Sequence, residues 1–290
     1  MTEKIYLDYT REELDAQYIN VKTDADELTR QRLVTLSAEV AERLAIESDL
    51  AYSDHPNDRF DLYRADGPPG PVIVFTHGGQ WQRGSTTSSS SWAEAALSHG
   101  ISFVAGTFPM LPDVTIPEMV DHATALTRYV RANADALGVD PSRICIAGHS
   151  SGAHLAASVL VRLANEDDLD GIVCGMTISG NYDMRPLMLS YRKEFMLLSD
   201  EETVSMSPLL MLDKPMPPVQ VMHGGVESNE FKRQASTWHA ALAERGDAKL
   251  LAVPHANHFN VFLGLEDRDG AAWEFLTAHL TGAAATKAAQ

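Results

Sequence analysis

Basic residues are scarce: 23 Lys and Arg stand against 40 Asp and Glu, a formal net charge of −17. A phosphate backbone is repelled by such a field, which argues against nucleic acid as a partner. An anionic membrane surface is disfavoured on the same ground. Solubility is the plain reading of the acidity. Cysteine is rarer still. The chain has two, Cys145 and Cys174, each inside an apolar run of strand character, so they read as buried reduced thiols. Two thiols cannot close a zinc site, and no histidines sit at ligand spacing nearby. No run of about 18 apolar residues is present to span a bilayer. The opening Met1-Thr2-Glu3-Lys4-Ile5-Tyr6 lacks the basic start and apolar stretch of a secretory signal, and a cytoplasmic location is the expectation.

What is there suits one large α/β domain: 290 residues, 44% hydrophobic and 22% charged, with no internal repeat and no stretch of disordered composition. Residues 1–50 are polar and helical in pattern. Leu33, Leu36, Val40 and Leu44 form one stripe between Glu27 and Leu44, and Thr10-Arg11-Glu12-Glu13 has the form of a capping box. This segment precedes the first expected strand, so it packs outside the sheet or over its edge. Thereafter strands and helices alternate. Strands are expected at Arg59–Arg64, Pro71–Thr76, Ile101–Thr107, Arg143–Ala147, Gly171–Ser179, Pro218–His223 and Ala248–Val253. Helices are expected at Ser91–Ser98, Pro117–Leu137, Ser151–Asn165, Glu230–Arg245 and Gly270–Leu280. The alternation implies right-handed crossovers and a doubly wound, mostly parallel sheet, with ligands bound beyond the carboxyl ends of its strands.

Residues 182–217 break the rhythm. The stretch has no convincing strand and carries Met184, Met188, Met196, Met206, Met211 and Met216. Two readings stand side by side: a lid insertion lined with adaptable thioethers, or a methionine-rich patch of core. The closing Gly282 to Gln290 reads as a frayed tail.

The chemistry concentrates in three places. Gly148-His149-Ser150-Ser151-Gly152 fits Gly-x-Ser-x-Gly and lies between an apolar strand and an apolar helix. A sharp strand-to-helix turn needs small flanking residues, presents its serine above the sheet and aims a helix N-terminus at a developing oxyanion. Ser150 is therefore the candidate nucleophile. His77-Gly78-Gly79-Gln80-Trp81 follows the strand at Pro71–Thr76. Its glycines free backbone N–H groups to face an oxyanion, so Gly78, Gly79 and Ser151 are the candidate oxyanion donors, with His77, Gln80, Trp81 and His149 as candidate substrate contacts. A hydroxyl needs a base and an orienting acid downstream. Glu227, in the loop after Pro218–His223, is the candidate acid. Its rival Glu230 falls in the first turn of the next helix, where an acid answers the helix dipole. His258 is the candidate base, with Phe259 expected to anchor its loop, and His255 is the rival. His149 and His154 read as hydrogen-bonded neighbours, His122 and His239 as solvated.

These residues resemble the kynurenine formamidase (arylformamidase) branch of the α/β hydrolases, near the hormone-sensitive-lipase group. The likeness rests on Gly148-His-Ser-Ser-Gly-Ala-His-Leu155, His77-Gly-Gly-Gln-Trp81, the run Glu227 to Gln234, His258-Phe259 and the opening Leu7 to Tyr18. Two positions depart from it: Glu227 stands where Asp is usual, and Gln80 where an aromatic or small residue is more familiar. The resemblance implies a Ser-His-Glu triad acting through an acyl-enzyme on a small amide or ester, with no metal and no organic cofactor. It admits a homodimer. A short-chain carboxylesterase or catabolic amide hydrolase is the alternative activity, and a hydrolase-fold binding protein without turnover is the alternative from another class.

Overall fold

The computed structural model of the chain describes residues 3–282, so the expected tail lies almost wholly outside the described residues. In chain order the helices are α1 (Arg11–Gln17), α2 (Asp24–Arg43), α3 (Ala93–Ser98), α4 (Ile116–Ala132), α5 (Ala134–Leu137), α6 (Ser151–Asn165), α7 (Arg185–Met188), α8 (Lys193–Met196), α9 (Asp200–Ser205), α10 (Asn229–Ala243), α11 (Leu263–Glu266) and α12 (Ala271–Leu280). The strands are β1 (Glu47–Ala51), β2 (Arg59–Tyr63), β3 (Gly70–Thr76), β4 (Ser102–Thr107), β5 (Val139–His149), β6 (Ile172–Ile178), β7 (Val219–Gly224) and β8 (Ala248–Val253). They form one sheet in the order β1-β2-β4-β3-β5-β6-β7-β8. From β4 to β8 neighbouring strands run parallel, and β1 and β2 are antiparallel additions at one edge.

Alternation along the central strands builds two cores. Val72, Val74, Ile144 and Ile146 point to the face covered by α4, α6 and α10, whereas Ile73, Phe75, Cys145 and Ala147 point to the face covered by α3 and α12. Side chains of period two, apolar on both faces, are what a parallel sheet between helical layers requires. Cys145 and Cys174 are register partners on β5 and β6, both buried and unbonded. The expected capping box at Thr10–Glu13 forms, and Thr115–Glu118 makes a second one at the start of α4. Among the described residues no helix is long and apolar enough to cross a membrane.

Three expectations are corrected. Strand β1 was not foreseen: its sequence Glu-Ser-Asp-Leu-Ala is polar and mostly exposed, so it carries no apolar alternation. The methionines of residues 182–217 do not form a cavity-lining lid. Met184, Met196 and Met216 are buried in the core beside α6 and α10, with Met188, Met206 and Met211 packed against it. The cover comes instead from the N-terminus. Helix α2 packs against the 3-10 helix Thr86–Trp92 and is pinned to the following α3 by the Arg43–Glu94 ion pair. Its first turn is tied to the loop after β8 by a hydrogen bond from Asn257 Nδ2 to Asp26 Oδ1, 2.9 Å long. His122 is also not simply solvated: its Nδ1 lies 2.9 Å from the buried Asp58 carboxylate.

Candidate active site

Strand β5 ends at His149 and α6 begins at Ser151, leaving Ser150 alone at the turn with φ 57° and ψ −121°. A non-glycine residue held there is strained, and only tight surroundings keep it so. Those surroundings are backbone. A Cβ on Gly152 would lie 2.1 Å from the Thr76 carbonyl oxygen, and one on Gly148 would lie 2.3 Å from the Gly152 carbonyl oxygen. The two flanking glycines are therefore sterically obligatory. The Thr76 hydroxyl donates to the Gly152 carbonyl at 2.8 Å, and the Ser150 N–H donates to the Ile178 carbonyl at 2.8 Å, tying the elbow to β3 and β6.

The loops after β7 and β8 bring the other two groups to it. The Ser150 hydroxyl donates to His258 Nε2 at 2.8 Å, and His258 Nδ1–H donates to Glu227 Oε1 at 2.6 Å. Glu227 Oε2 accepts from the Gly224 N–H at 2.6 Å and from the Ser179 hydroxyl at 2.8 Å. The carboxylate side chain is 1% exposed, so three donors meet a charge that water does not reach. Gly224 can approach because it has no Cβ, which would sit 2.3 Å from the Ala256 carbonyl oxygen. The rivals are placed elsewhere. Glu230 is fully buried against Arg233, at 2.6 Å, and His255 is exposed.

The His258 loop is fixed by its neighbours. Asn257 Oδ1 accepts the N–H groups of Phe259 and Asn260, and His149 Nε2–H donates to the His258 carbonyl at 2.9 Å. Burial, and then the nearby His258, hold the His149 imidazole well below the usual histidine range, so it stays neutral and keeps that donor role. Phe259 does not anchor the loop in the core as expected: it is half-buried and lines the cavity, while Val261 and Phe262 do the packing.

Gly78 abuts the elbow, since a Cβ there would lie 3.0 Å from Ser150 Cβ. Gly79 has φ 132°, which glycine adopts readily. The N–H groups of Gly78 and Gly79 find no acceptor among the described residues, and Ser151 is the first residue of α6, where amides are free. Gly78 and Gly79, but not Ser151, line a cavity of about 610 Å³ together with Ser150, His258, His149, Gln80 and Phe259, with Leu33 and Val34 of α2 over it. Two expected substrate contacts are not in its lining. His77 is buried, stacked on Phe108 at 4.9 Å, with Nδ1–H donating to the Gly78 carbonyl. Trp81 is buried as well, its indole N–H donating to His154 Nδ1 at 3.2 Å. Both shape the glycine loop from behind because their rings are spent on core packing. Ser179 and the α2 residues were not foreseen. A lone serine at a strand end and a polar helix far upstream carry no motif. Among the described residues no cluster of three or more His, Cys, Asp or Glu could hold a metal ion.

A strand-elbow-helix with a Ser–His–Glu hydrogen-bond chain on a sheet of this order defines an α/β hydrolase. A family model described as BD-FAE matches residues 60–185. Kynurenine formamidase of Danio rerio is 24% identical over 276 residues, covering 90% of this chain and 93% of the relative. Isoprenylcysteine alpha-carbonyl methylesterase ICME of Arabidopsis thaliana is 28% identical over 246 residues, 75% of this chain but 57% of that longer protein. Among solved structures, one from Silicibacter sp. tm1040, provisionally described as a thioesterase, superposes with a TM-score of 0.79 at 28% identity, covering 93% of this chain and 99% of that one. The chain has the α/β-hydrolase fold, is similar over most of its length to esterases and a formamidase, and is a hydrolytic enzyme.

Proposed function

We propose that the chain is a serine hydrolase of arylformamidase type, cleaving a small aryl formamide through a formyl-enzyme on Ser150. The observation that carries this reading is the unbroken relay from Ser150 Oγ through His258 to Glu227, at 2.8 and 2.6 Å, opening on a cavity. Ser150 Oγ attacks the carbonyl carbon as its proton passes to His258 Nε2, and Glu227 keeps the other imidazole proton on Nδ1 and stabilises the imidazolium. The carbonyl oxygen becomes an oxyanion against the N–H groups of Gly78, Gly79 and Ser151. His258 then gives its proton to the leaving amine, and the C–N bond breaks. Water, deprotonated by His258, attacks the formyl ester, and formate leaves as Ser150 regains its proton.

Aromatic walls support an aryl leaving group: Phe75, Tyr191, Phe259 and Phe262 all line the cavity. Similarity to the Danio rerio formamidase over 90% of the chain points the same way. A second reading, a short-chain carboxylesterase using the same relay, is favoured by the similarity to the Arabidopsis thaliana methylesterase and by a volume that admits acyl groups larger than formyl. Initial rates on N-formylkynurenine and p-nitrophenyl acetate, with Ser150→Ala in parallel, decide between them. Preference for the formamide, abolished in the variant, is the expected result. Activity on the ester alone would move the substrate to the second reading, and a fully active Ser150→Ala would overturn both.

A further inference from the structure

Two arginines line the cavity, Arg30 of α2 and Arg83 of the loop after Gly78-Gly79. Their charges are met differently. Arg30 is held by Glu27, with Nε 2.8 Å and Nη2 2.6 Å from its carboxylate oxygens, and Gln31 donates to the same carboxylate at 2.8 Å. The pair cancels within the cover helix. The Arg83 guanidinium has neither a carboxylate nor any other acceptor among the described residues. In a chain with 40 acidic and 23 basic residues, a cavity-facing cation left without an acid is conspicuous, because acids are available to nearly every other arginine.

Its position is fixed by the glycine loop. The Arg83 N–H donates to the Gly79 carbonyl at 3.2 Å, closing a turn. A Cβ on Gly79 would lie 1.8 Å from the Arg83 carbonyl oxygen and 3.1 Å from its Cγ. The arginine stem therefore rests on Gly79, one of the candidate oxyanion donors, while the side chain stays exposed enough to meet a ligand. The field of a chain with net charge −17 repels anions at long range, so an anionic group dwells in this cavity only where a local cation receives it.

We propose that Arg83 is a specificity-determining residue that receives a carboxylate on the aryl part of the substrate, so that the enzyme prefers monoanionic aryl amides and esters over neutral ones. The guanidinium fork donates to both carboxylate oxygens, and the scissile carbonyl on the other side of the ring reaches Ser150. A formyl or acetyl acyl group has no place for a charge, so the carboxylate belongs to the leaving part. This rests on the serine-hydrolase reading above, and the test separates the two.

The matched substrates are 3-acetoxybenzoate and 3-acetoxybenzamide, equal in size and different in one charge, with p-nitrophenyl acetate as a neutral reference. Wild type should favour the benzoate, and the preference should shrink in high salt. Arg83→Gln should lose about tenfold in kcat/KM on the benzoate, mostly through KM, and stay within about twofold on the benzamide and the reference. Arg83→Lys should recover part of the loss. Equal losses on all three esters would mark Arg83 as a loop-shaping residue and overturn the proposal. No loss on the benzoate would overturn it too, as would inertness of wild type on both matched esters while p-nitrophenyl acetate is cleaved. Inertness on all three would sink the serine-hydrolase reading, and this one with it.

Discussion

Ser179→Ala removes a single hydroxyl from behind the candidate acid and leaves everything else in place. Ser179 is fully buried, just past the end of β6, and donates to Glu227 Oε2 at 2.8 Å. A hydrogen bond to a charged group contributes about 1.5–3 kcal/mol when water cannot replace it. Glu227 keeps two other donors, the Gly224 N–H and His258 Nδ1–H, both at 2.6 Å, so the lower end applies. About 1.5 kcal/mol corresponds to roughly a tenfold fall in kcat/KM if the carboxylate's hold on His258 matters most when the imidazolium forms. Backbone strain is a separate matter. Ser179 sits at φ 51°, which Ala shares and Gly relieves. Ser179→Gly should thus regain melting temperature relative to Ser179→Ala without regaining rate. The assay is kcat/KM on p-nitrophenyl acetate alongside thermal melts of both variants. A Ser179→Ala enzyme within twofold of wild type, with an unchanged melting temperature, would refute the idea that this hydroxyl steadies the acid.

Two further predictions use the same geometry. Glu227→Gln should lower kcat about a thousandfold or more, because an amide cannot stabilise the imidazolium or enforce its tautomer. Glu230→Gln should leave the rate within a few-fold while costing roughly 2–3 kcal/mol by stripping Arg233 of its buried partner; the opposite ranking, read by steady-state kinetics and urea unfolding, would exchange the two assignments. Stability should also fall on acidification. Burial pushes His154 down from 6.5 to about 4, against a weaker pull from the Met206 carbonyl. The unfolded chain therefore binds the extra proton first. The contribution is intact above about pH 6.5 and is lost progressively toward pH 4, by roughly 3 kcal/mol at most. His154→Gln can still accept from Trp81 and donate to Met206, so it should flatten that slope in urea unfolding from pH 7 to 4; an unchanged slope would remove His154 from the account.

The legible parts of this molecule were those where local chemistry and global need coincide. Parallel strands buried on both faces are apolar runs, and the elbow requires glycine where the backbones of α6 and β3 touch, so Gly148, Ser150 and Gly152 stand out in the sequence. Glu227 and His258 followed from chain order and loop position. What escaped depends on contacts distant in sequence. Ser179 meets Glu227 only through the adjacency of β6 and β7. Helix α2 gives its stripe to the cover of the cavity, with Val40 buried and Leu33 in the lining, and no periodicity tells a cover from a brace. His77 and Trp81 flank the right glycines, yet their rings turn into the core, because a tight loop needs packing behind it as much as donors in front. The methionines went the same way: composition showed adaptable side chains, and only the packing of residues 182–217 on α6 and α10 assigned them to the core.

The central claim is that Ser150 is the nucleophile of this relay. Diethyl p-nitrophenyl phosphate should release about one equivalent of p-nitrophenol per chain and leave a diethylphosphoryl group on the peptide carrying Ser150, read by mass spectrometry, with hydrolytic activity lost in proportion. Ser150→Ala should take up no label and show no esterase activity above background. A phosphoryl group on another residue, or an unlabelled Ser150→Ala enzyme that still turns over substrate, would contradict the account.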